Sequence, residues 1–161
     1  MEKVDRTHWE RAELFEFFSA VSHPFYSVTF RVDVTNLYRY VKERHLSFYY
    51  AMGYLVTDAV NSVKNFRYAI RDGEVWLLDE RIPSLTDLKP GSEQFHIVTL
   101  PKVGGIAEFC ASAQTRSAAQ KTLLDQDEEN DNLIYISCTP WCELSGCTTE
   151  RDFARAATIP R

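Results

Sequence analysis

The order in which helical and strand-like periodicities follow one another limits the fold of this chain more than any other feature. Apolar residues recur at helical spacing in residues 14–21, and strict apolar–polar alternation then runs from Tyr26 to Val34. The first pattern predicts an amphipathic helix and the second predicts a half-buried strand. Because the two patterns mix without a regular strand–helix–strand rhythm, we expect an α/β fold in which a mixed β-sheet carries helices on one side.

Local signals predict the remaining helices and strands. Thr7 and Glu10 have the spacing of a capping box, which predicts a helix over about Trp9–Ala20. The Asp72-Gly73 pair inside Arg67–Leu78 predicts a hairpin, because a two-residue turn needs positive φ angles. Further predicted elements are helices from Thr35, from Ser47 and over about Ile106–Leu124, and strands over about Phe95–Thr99 and Leu133–Ser137. The helix from Ser47 is expected to bury an apolar stripe formed by Phe48, Ala51, Met52, Leu55, Val56, Ala59, Val60 and Val63.

Length and charge narrow the class of protein. A chain of 161 residues is long enough to bury a core as one domain, which we expect over residues 1–161. Its longest apolar run falls short of the roughly 20 residues that span a bilayer, and its charged N-terminus lacks a signal-peptide core. The net charge of −5 argues against nucleic acid as a partner. We therefore expect a cytoplasmic protein that binds neither membranes nor nucleic acid.

The four cysteines do not have the spacing of a structural metal site. Cys138, Cys142 and Cys147 lie in one segment and Cys110 lies elsewhere, without paired Cys-x2-Cys units or a nearby histidine. We expect free thiols and no metal, which fits a reducing compartment. The acidic stretch at residues 125–131 is expected to be a solvated loop.

Two positions near the predicted last strand could carry chemistry. Ser137 closes that strand, where its hydroxyl could donate a hydrogen bond to an oxyanion formed during acyl transfer, or could simply end the strand. Trp141 follows Pro140, and its indole could stack on a ligand or fill the core. In the first helix Phe17 and Phe18 point about 100° apart. One of them could line a cavity for a flat apolar ligand, or both could belong to the core.

The histidines offer no clearly placed general base. Such a base must reach the proton that it removes, and a second group usually fixes its tautomer. His8, His23 and His45 are expected to be exposed, whereas His96 lies in a predicted strand and could approach a cavity, although the sequence shows no acidic partner for it.

Several segments together resemble one family of enzymes. Trp9-Glu10-Arg11 opens an aromatic helix, and the alternating strand and Ser47-Phe48-Tyr49-Tyr50 follow it. Asn65–Glu74 and Ile134–Trp141, which includes Ser137-Cys138-Thr139-Pro140-Trp141, come later in the same order. This combination resembles the chloramphenicol acetyltransferase family, and the resemblance spans nearly the whole chain.

The resemblance implies an activity and a set of site residues. Members of this family transfer an acetyl group from acetyl-CoA, a co-substrate, to a hydroxyl of chloramphenicol, with a histidine of a His-His-x-x-x-Asp-Gly motif as the base. Ser137 would donate a hydrogen bond to the tetrahedral intermediate, and Arg11 would pair with the aspartate of that motif. The chloramphenicol pocket would be lined by Phe17, Phe18, Tyr26 and Phe95, and the CoA channel by Tyr49 and Trp141.

The same resemblance implies a homotrimer whose sites lie between subunits. The catalytic motif does not occur in the 161 residues. We therefore expect a C-terminally truncated chain that is inactive as it stands. The alternatives are a non-catalytic pseudoenzyme that binds a ligand or serves assembly, and a chain that is active through an unrecognised base.

Overall fold

The computed structural model describes residues 1–89, 91–124 and 130–148. Within these residues a short 3₁₀-helix at Lys64–Arg67 leads into a hairpin, and the remaining helices and strands alternate irregularly. In chain order they are β1 (Glu2–Lys3), α1 (Ala12–Ser19), α2 (Thr35–Glu43), α3 (Phe48–Ser62), β2 (Tyr68–Arg71), β3 (Glu74–Leu77), β4 (Ile82–Leu88), β5 (Phe95–Thr99), α4 (Ile106–Ala119) and β6 (Leu133–Ile136).

The strands form two three-stranded sheets within the described residues. The first sheet has the order β1-β3-β2 and is antiparallel. The second has the order β5-β4-β6, in which β4 is antiparallel to β5 and parallel to β6. The second sheet is therefore mixed, as predicted. The prediction of one domain over residues 1–161 reaches beyond the described residues and stays a prediction.

The main core lies between three helices and one face of the second sheet. Leu85 of β4 and Val98 of β5 are direct partners in the sheet and are fully buried. A β-carbon added to Gly53 would lie 3.0 Å from Leu85 Cδ2, so α3 approaches β4 closely at that glycine. The cluster comprises Val41, Tyr50, Ala51, Leu85, Val98, Leu100, Phe109, Cys110 and Ala113, from α2, α3, α4 and the second sheet and its edge.

The hairpin prediction is confirmed. β2 and β3 pair in the register Arg71–Glu74, which leaves Asp72 and Gly73 as the two turn residues. Their φ angles are +52° and +76°, the left-handed values that this tight turn requires. The predicted strand Phe95–Thr99 also agrees with β5 residue for residue.

Arg81 joins the hairpin to the segment before β6. Its side chain is buried and donates hydrogen bonds to the backbone oxygens of Phe66 (2.9 Å), Asp131 (2.6 Å) and Tyr68. Its backbone amide donates to Asn61 Oδ1 at 2.7 Å. One guanidinium therefore binds three carbonyls from two separate segments of the chain, just before the second sheet begins.

The predicted capping box at the N-terminal helix is wrong. α1 begins at Ala12 rather than Trp9, and no side chain caps it. Asp5 instead accepts hydrogen bonds from the amide (2.9 Å) and the hydroxyl (2.6 Å) of Thr7. Thr7 is thus held by a residue that precedes it, and the Trp9 indole turns away to donate to the Tyr68 hydroxyl at 3.2 Å.

The predicted half-buried strand Tyr26–Val34 is also wrong. Residues 24–34 are assigned to no strand, and Tyr26 is 85% exposed. The segment runs beside residues 143–147, where Ser27 Oγ donates to the oxygen of Cys147 at 3.0 Å and Arg31 bonds Glu143 at 3.3 Å. The alternation does mark an apolar side, but nothing in the described residues covers it.

Three smaller differences concern element ends and a strand that had no clear signal. α4 ends at Ala119, not Leu124, and β6 ends at Ile136, one residue before Ser137. The sequence patterns also missed β4, the central strand of the second sheet, whose alternation is interrupted by Pro83-Ser84 and Asp87.

Candidate functional site

One end of the second sheet brings Ser137 and Phe95 to opposite sides of the same strand. Phe95, the first residue of β5, is the partner of Leu88 in β4. Ile136, the last residue of β6, is the partner of Leu85, and Ser137 follows it. The C-terminal end of β4 thus lies between the two candidate residues, which come from segments about 40 positions apart in sequence.

Both side chains lie on the face of this sheet opposite the core cluster, and at this end of the sheet that face is open. Leu85, Val98 and Ile136 point toward the core, and neighbouring residues of a strand alternate between faces. Phe95 and Ser137 therefore occupy the opposite face. Phe95 is about half exposed and Ser137 is exposed, so a ligand can reach both.

Tyr49 ties the two strands together at this end. Its hydroxyl lies 2.6 Å from the oxygen of Thr86 in β4 and 3.2 Å from the oxygen of Ile136 in β6. Burial, followed by the charge of Asp87, raises the pKa of Tyr49 well above its ordinary value, so the phenol remains a donor. The geometry makes Tyr49 a support for the strand that precedes Ser137; its predicted place along a CoA channel stays a prediction.

The other aromatic candidates do not form a closed pocket by themselves. Phe17, Phe18, Tyr26 and Trp141 are each more than half exposed. Phe17 and Phe18 touch edge to face, with ring centroids 5.2 Å apart. Neither is a core residue, so the alternative that both belong to the core is wrong. Trp141 does not fill the core either. A pocket that uses these rings needs a further surface against them.

Arg11 lies immediately before α1, where its backbone oxygen accepts a hydrogen bond from the Phe15 amide at 2.9 Å. Its side chain is exposed. The guanidinium is therefore solvated rather than buried, and its predicted pairing with the aspartate of the catalytic motif stays a prediction.

His96 is buried, and Ser117 links it to the carboxylate of Asp87, a connection that the sequence did not reveal. Only 1% of the residue is exposed, and Nε2 lies 2.9 Å from Ser117 Oγ. Ser117 in turn donates to Asp87 Oδ2 at 2.6 Å. His96 also shares a face with Leu85 and Val98, away from Ser137. It cannot serve as a base for a ligand on the open face.

The expected exposure of the other histidines agrees with the structure. His8 Nδ1 lies 2.8 Å from Asp5 Oδ2 on the surface. His23 and His45 are exposed as well, and His45 has a positive φ of 54° at the end of the turn after α2.

The prediction of free thiols is confirmed, whereas the prediction of a solvated acidic stretch fails at Asp131. All four cysteines are free; Cys110 is buried and the other three are exposed. The described residues contain no group of three or more potential metal ligands from His, Cys, Asp and Glu. Residues 125–129 of the acidic stretch lie outside the described residues, but Asp131 is not a solvated loop residue, because its carboxylate binds Arg71 through two contacts of 2.5 and 2.6 Å.

No helix in the described part of the chain is both long enough and apolar enough to cross a membrane.

Comparison with known proteins agrees on one family. The family model for chloramphenicol acetyltransferase matches residues 1–152. The chain is 30% identical over 149 residues to a chloramphenicol acetyltransferase of Clostridium perfringens, covering 90% of this chain and 70% of that protein. It is also 30% identical over 142 residues to chloramphenicol acetyltransferase 3 of Escherichia coli, covering 86% and 67%. A solved chloramphenicol acetyltransferase structure matches with a TM-score of 0.86 at 25% identity, covering 94% of this chain and 76% of that chain. This match confirms the predicted fold class.

Proposed function

The chain belongs to the chloramphenicol acetyltransferase family, and we propose on that basis that its residues form the acceptor-binding and oxyanion-binding part of an acetyl-CoA-dependent O-acetyltransferase site. The acceptor is a hydroxyl of chloramphenicol or of a similar apolar alcohol. The observation that carries this proposal is the placement of Ser137 and Phe95 on either side of the end of β4, accessible on one face.

In the proposed reaction the acceptor oxygen attacks the thioester carbon while both substrates are bound. The new C–O bond forms, the carbonyl oxygen becomes an oxyanion, and collapse of the intermediate breaks the C–S bond and releases the CoA thiol. Ser137 donates a hydrogen bond to that oxyanion, a type of contact whose removal lowers kcat by about 10²–10³-fold. Tyr49 supports this geometry because its hydroxyl holds the ends of β4 and β6 together.

The hydroxyl proton of the acceptor passes to the proposed base, the histidine of the His-His-x-x-x-Asp-Gly motif, and from it to the departing thiolate. This histidine is not among these 161 residues. His96 does not replace it, since it is sealed on the other face of the sheet. We expect these residues alone to bind the acceptor without acetylating it. The alternative function, a non-catalytic binding or assembly module, makes the same prediction for turnover, but a pure assembly module would not bind the acceptor.

A thiol-release assay with acetyl-CoA and chloramphenicol tests the expected lack of turnover. The 161-residue chain should release no more thiol than its Ser137→Ala variant. Release above that level would show that these residues contain a working base. If the activity disappeared in His96→Ala, the assignment of His96 to a sealed, non-reacting position would be wrong.

Chloramphenicol binding, measured by calorimetry, tests the acceptor site itself. Phe95→Ala should weaken binding about tenfold, because it removes apolar contact with the ligand. Phe66→Ala is the matched control, since Phe66 is comparably exposed but lies in the 3₁₀-helix before β2. Equal affinities of the two variants would reject the Phe95 assignment, and no binding by the unmodified chain would favour the assembly module.

The same proposal includes a homotrimer in the cytoplasm. The exposed rings of Phe17, Phe18, Tyr26 and Trp141 support assembly, because a second copy would supply the missing surface against them. The number three follows from the family resemblance. The four free thiols support a reducing compartment.

A further inference from the structure

A network of buried and half-buried polar side chains crosses the interface between the second sheet and two helices. His96 in β5 and Asp87 in β4 are direct partners across the antiparallel ladder. Ser117 of α4 lies between them, 2.9 Å from His96 Nε2 and 2.6 Å from Asp87 Oδ2. The Tyr50 hydroxyl of α3 donates to the same Asp87 oxygen, and the Leu88 amide donates to Oδ1 at 2.9 Å.

The donor and the acceptor of each hydrogen bond in this network can be assigned. Burial, followed by the bond to Asp87, raises the pKa of Tyr50 to about 12, so Tyr50 is a donor. The hydroxyl of Ser117 has one proton, which it gives to Asp87, and it must therefore accept a hydrogen bond from His96. Nε2 of His96 then carries a proton. Its other ring nitrogen, Nδ1, is buried and makes no hydrogen bond to the described residues.

This network ends directly beneath Phe95, one of the two candidate residues on the open face. His96 follows Phe95 directly, and Asp87 holds the amide of Leu88, the ladder partner of Phe95. The network thus joins α3, α4, β4 and β5 on the core side of the Leu88–Phe95 pair, the last pair of the ladder. The aromatic side chain of Phe95 projects from the opposite side of that pair.

We propose that His96 is a positioning residue: its Nε2–H, acting through Ser117 and Asp87, fixes the Leu88–Phe95 end of the ladder and so sets where Phe95 meets the acceptor. The part of this inference that concerns the acceptor rests on the proposed function. The hydrogen-bond order and the fixing of the ladder do not.

The chain contains a matched pair of serines for the test. Ser117 and Ser84 are both buried, but Ser84 Oγ has no hydrogen-bond partner in the described residues, whereas Ser117 bridges His96 and Asp87. Ser117→Ala removes the bridge, whereas Ser84→Ala removes a hydroxyl that makes no hydrogen bond to the described residues. His96→Gln offers a second comparison, because its amide can place an N–H near the position of Nε2 and gives up no bond at Nδ1.

Amide hydrogen exchange on the intact chain, with chloramphenicol calorimetry, gives the decisive comparison. Ser117→Ala should speed exchange at residues 95–97 about tenfold relative to the hairpin amides at residues 69–71, as expected for a buried donor left unpaired. It should also weaken chloramphenicol binding, while Ser84→Ala changes neither. His96→Gln should remain close to the unmodified chain in both measurements, and His96→Leu should resemble Ser117→Ala.

Nitrogen-15 shifts of the His96 ring test the proton order directly, with Nε2 protonated and Nδ1 unprotonated as the expected result. The reverse tautomer, or equal exchange in Ser117→Ala and Ser84→Ala, would overturn the inference. If the unmodified chain bound no chloramphenicol, the proposed acceptor site would be rejected, while the exchange and shift measurements would still decide whether this network fixes the ladder.

Discussion

At the level of single residues, Arg81 shows how a buried charge can be satisfied without a direct carboxylate partner. Burial lowers the pKa of its guanidinium, and three backbone oxygens accept its N–H groups. Asp131 supplies one of those oxygens from its backbone, while its carboxylate binds Arg71. The fork of a guanidinium suits three diverging acceptors, which a single ammonium cannot reach together.

Arg81→Lys should therefore lower the free energy of unfolding by about 3 kcal/mol, because buried carbonyls lose their donors. Urea denaturation followed by circular dichroism measures this change. Arg39→Lys, at an exposed position of α2, is the control and should change stability by less than about 0.5 kcal/mol. Similar values for the two variants would contradict the role given to Arg81.

The Asp131–Arg71 pair should make stability depend on pH. The hydrogen bond from Arg71 is the main reason that the pKa of Asp131 lies below its ordinary value of 3.8. The unfolded chain then binds the proton first as pH falls. The stabilisation is complete above the ordinary carboxyl pKa and is lost as pH falls through the lower pKa of the folded state.

Relative to Asp131→Asn, the unmodified chain should be more stable by about 1–2 kcal/mol near pH 7, and this difference should shrink below about pH 4. Thermal or urea unfolding across pH measures the difference. Asp58→Asn, which removes one partner of the exposed Lys102 pair, is the control and should have a small effect. A stability difference between the unmodified chain and Asp131→Asn that increased toward low pH would contradict this mechanism.

At the level of elements, α3 buries a different face from the one its apolar residues mark. Tyr50, Ala51, Gly53 and Thr57 are buried, while Leu55 is among the exposed residues of the predicted stripe. The reason is the close approach of α3 to β4 at Leu85, which favours small residues at the contact. The Thr57 hydroxyl donates to the oxygen of Gly53 at 2.7 Å, so that polar group is also satisfied inside the helix.

Gly53→Ala should destabilise the protein although alanine favours helices. The better helix propensity contributes about 1 kcal/mol, but a β-carbon 3.0 Å from the fully buried Leu85 side chain costs about 1–3 kcal/mol. We expect a net loss of about 1 kcal/mol in urea unfolding. Ala59→Gly, at an exposed position of α3, measures the propensity alone. A more stable Gly53→Ala variant would show that α3 can move away from β4.

At the level of the whole molecule, the segment from residue 24 to residue 34 leaves an unusual amount of apolar surface uncovered. Tyr26, Val28, Phe30 and Val32 are each more than 60% exposed. Exposed apolar patches that extend over several side chains commonly mark an interface. In the proposed trimer a neighbouring copy would cover this side, which would explain the alternation.

Phe30→Glu should shift the chain toward the monomer, because a carboxylate in a covered apolar interface would lose its hydration. Sedimentation velocity measures the oligomeric state. Val103→Glu, an equivalent change at an exposed position in the segment before α4, should leave assembly unchanged. A chain that is already monomeric at micromolar concentration would reject the trimer, and a Phe30→Glu chain that stays assembled would place the interface elsewhere.

Local preferences were enough to predict several parts of this protein. The Asp72-Gly73 turn depends on φ angles at two neighbouring residues, and Ser47 accepts a hydrogen bond from the Tyr50 amide at the start of α3. The family resemblance and the mixed fold class were also available from motifs in chain order. The turn and the helix start were predictable because the interactions behind them act within a few residues.

Packing between distant segments fixed the rest. The ladder pairs His96 with Asp87, Tyr49 joins Thr86 to Ile136, and Arg81 reaches Asp131, contacts that no local spacing encodes. The same holds for residues 24–34, whose periodicity shows an apolar side but does not show that this side stays exposed in the described residues. Burial and hydrogen-bond partners depend on which segments meet in space, and this chain brings together residues up to 120 positions apart, as at Ser27 and Cys147.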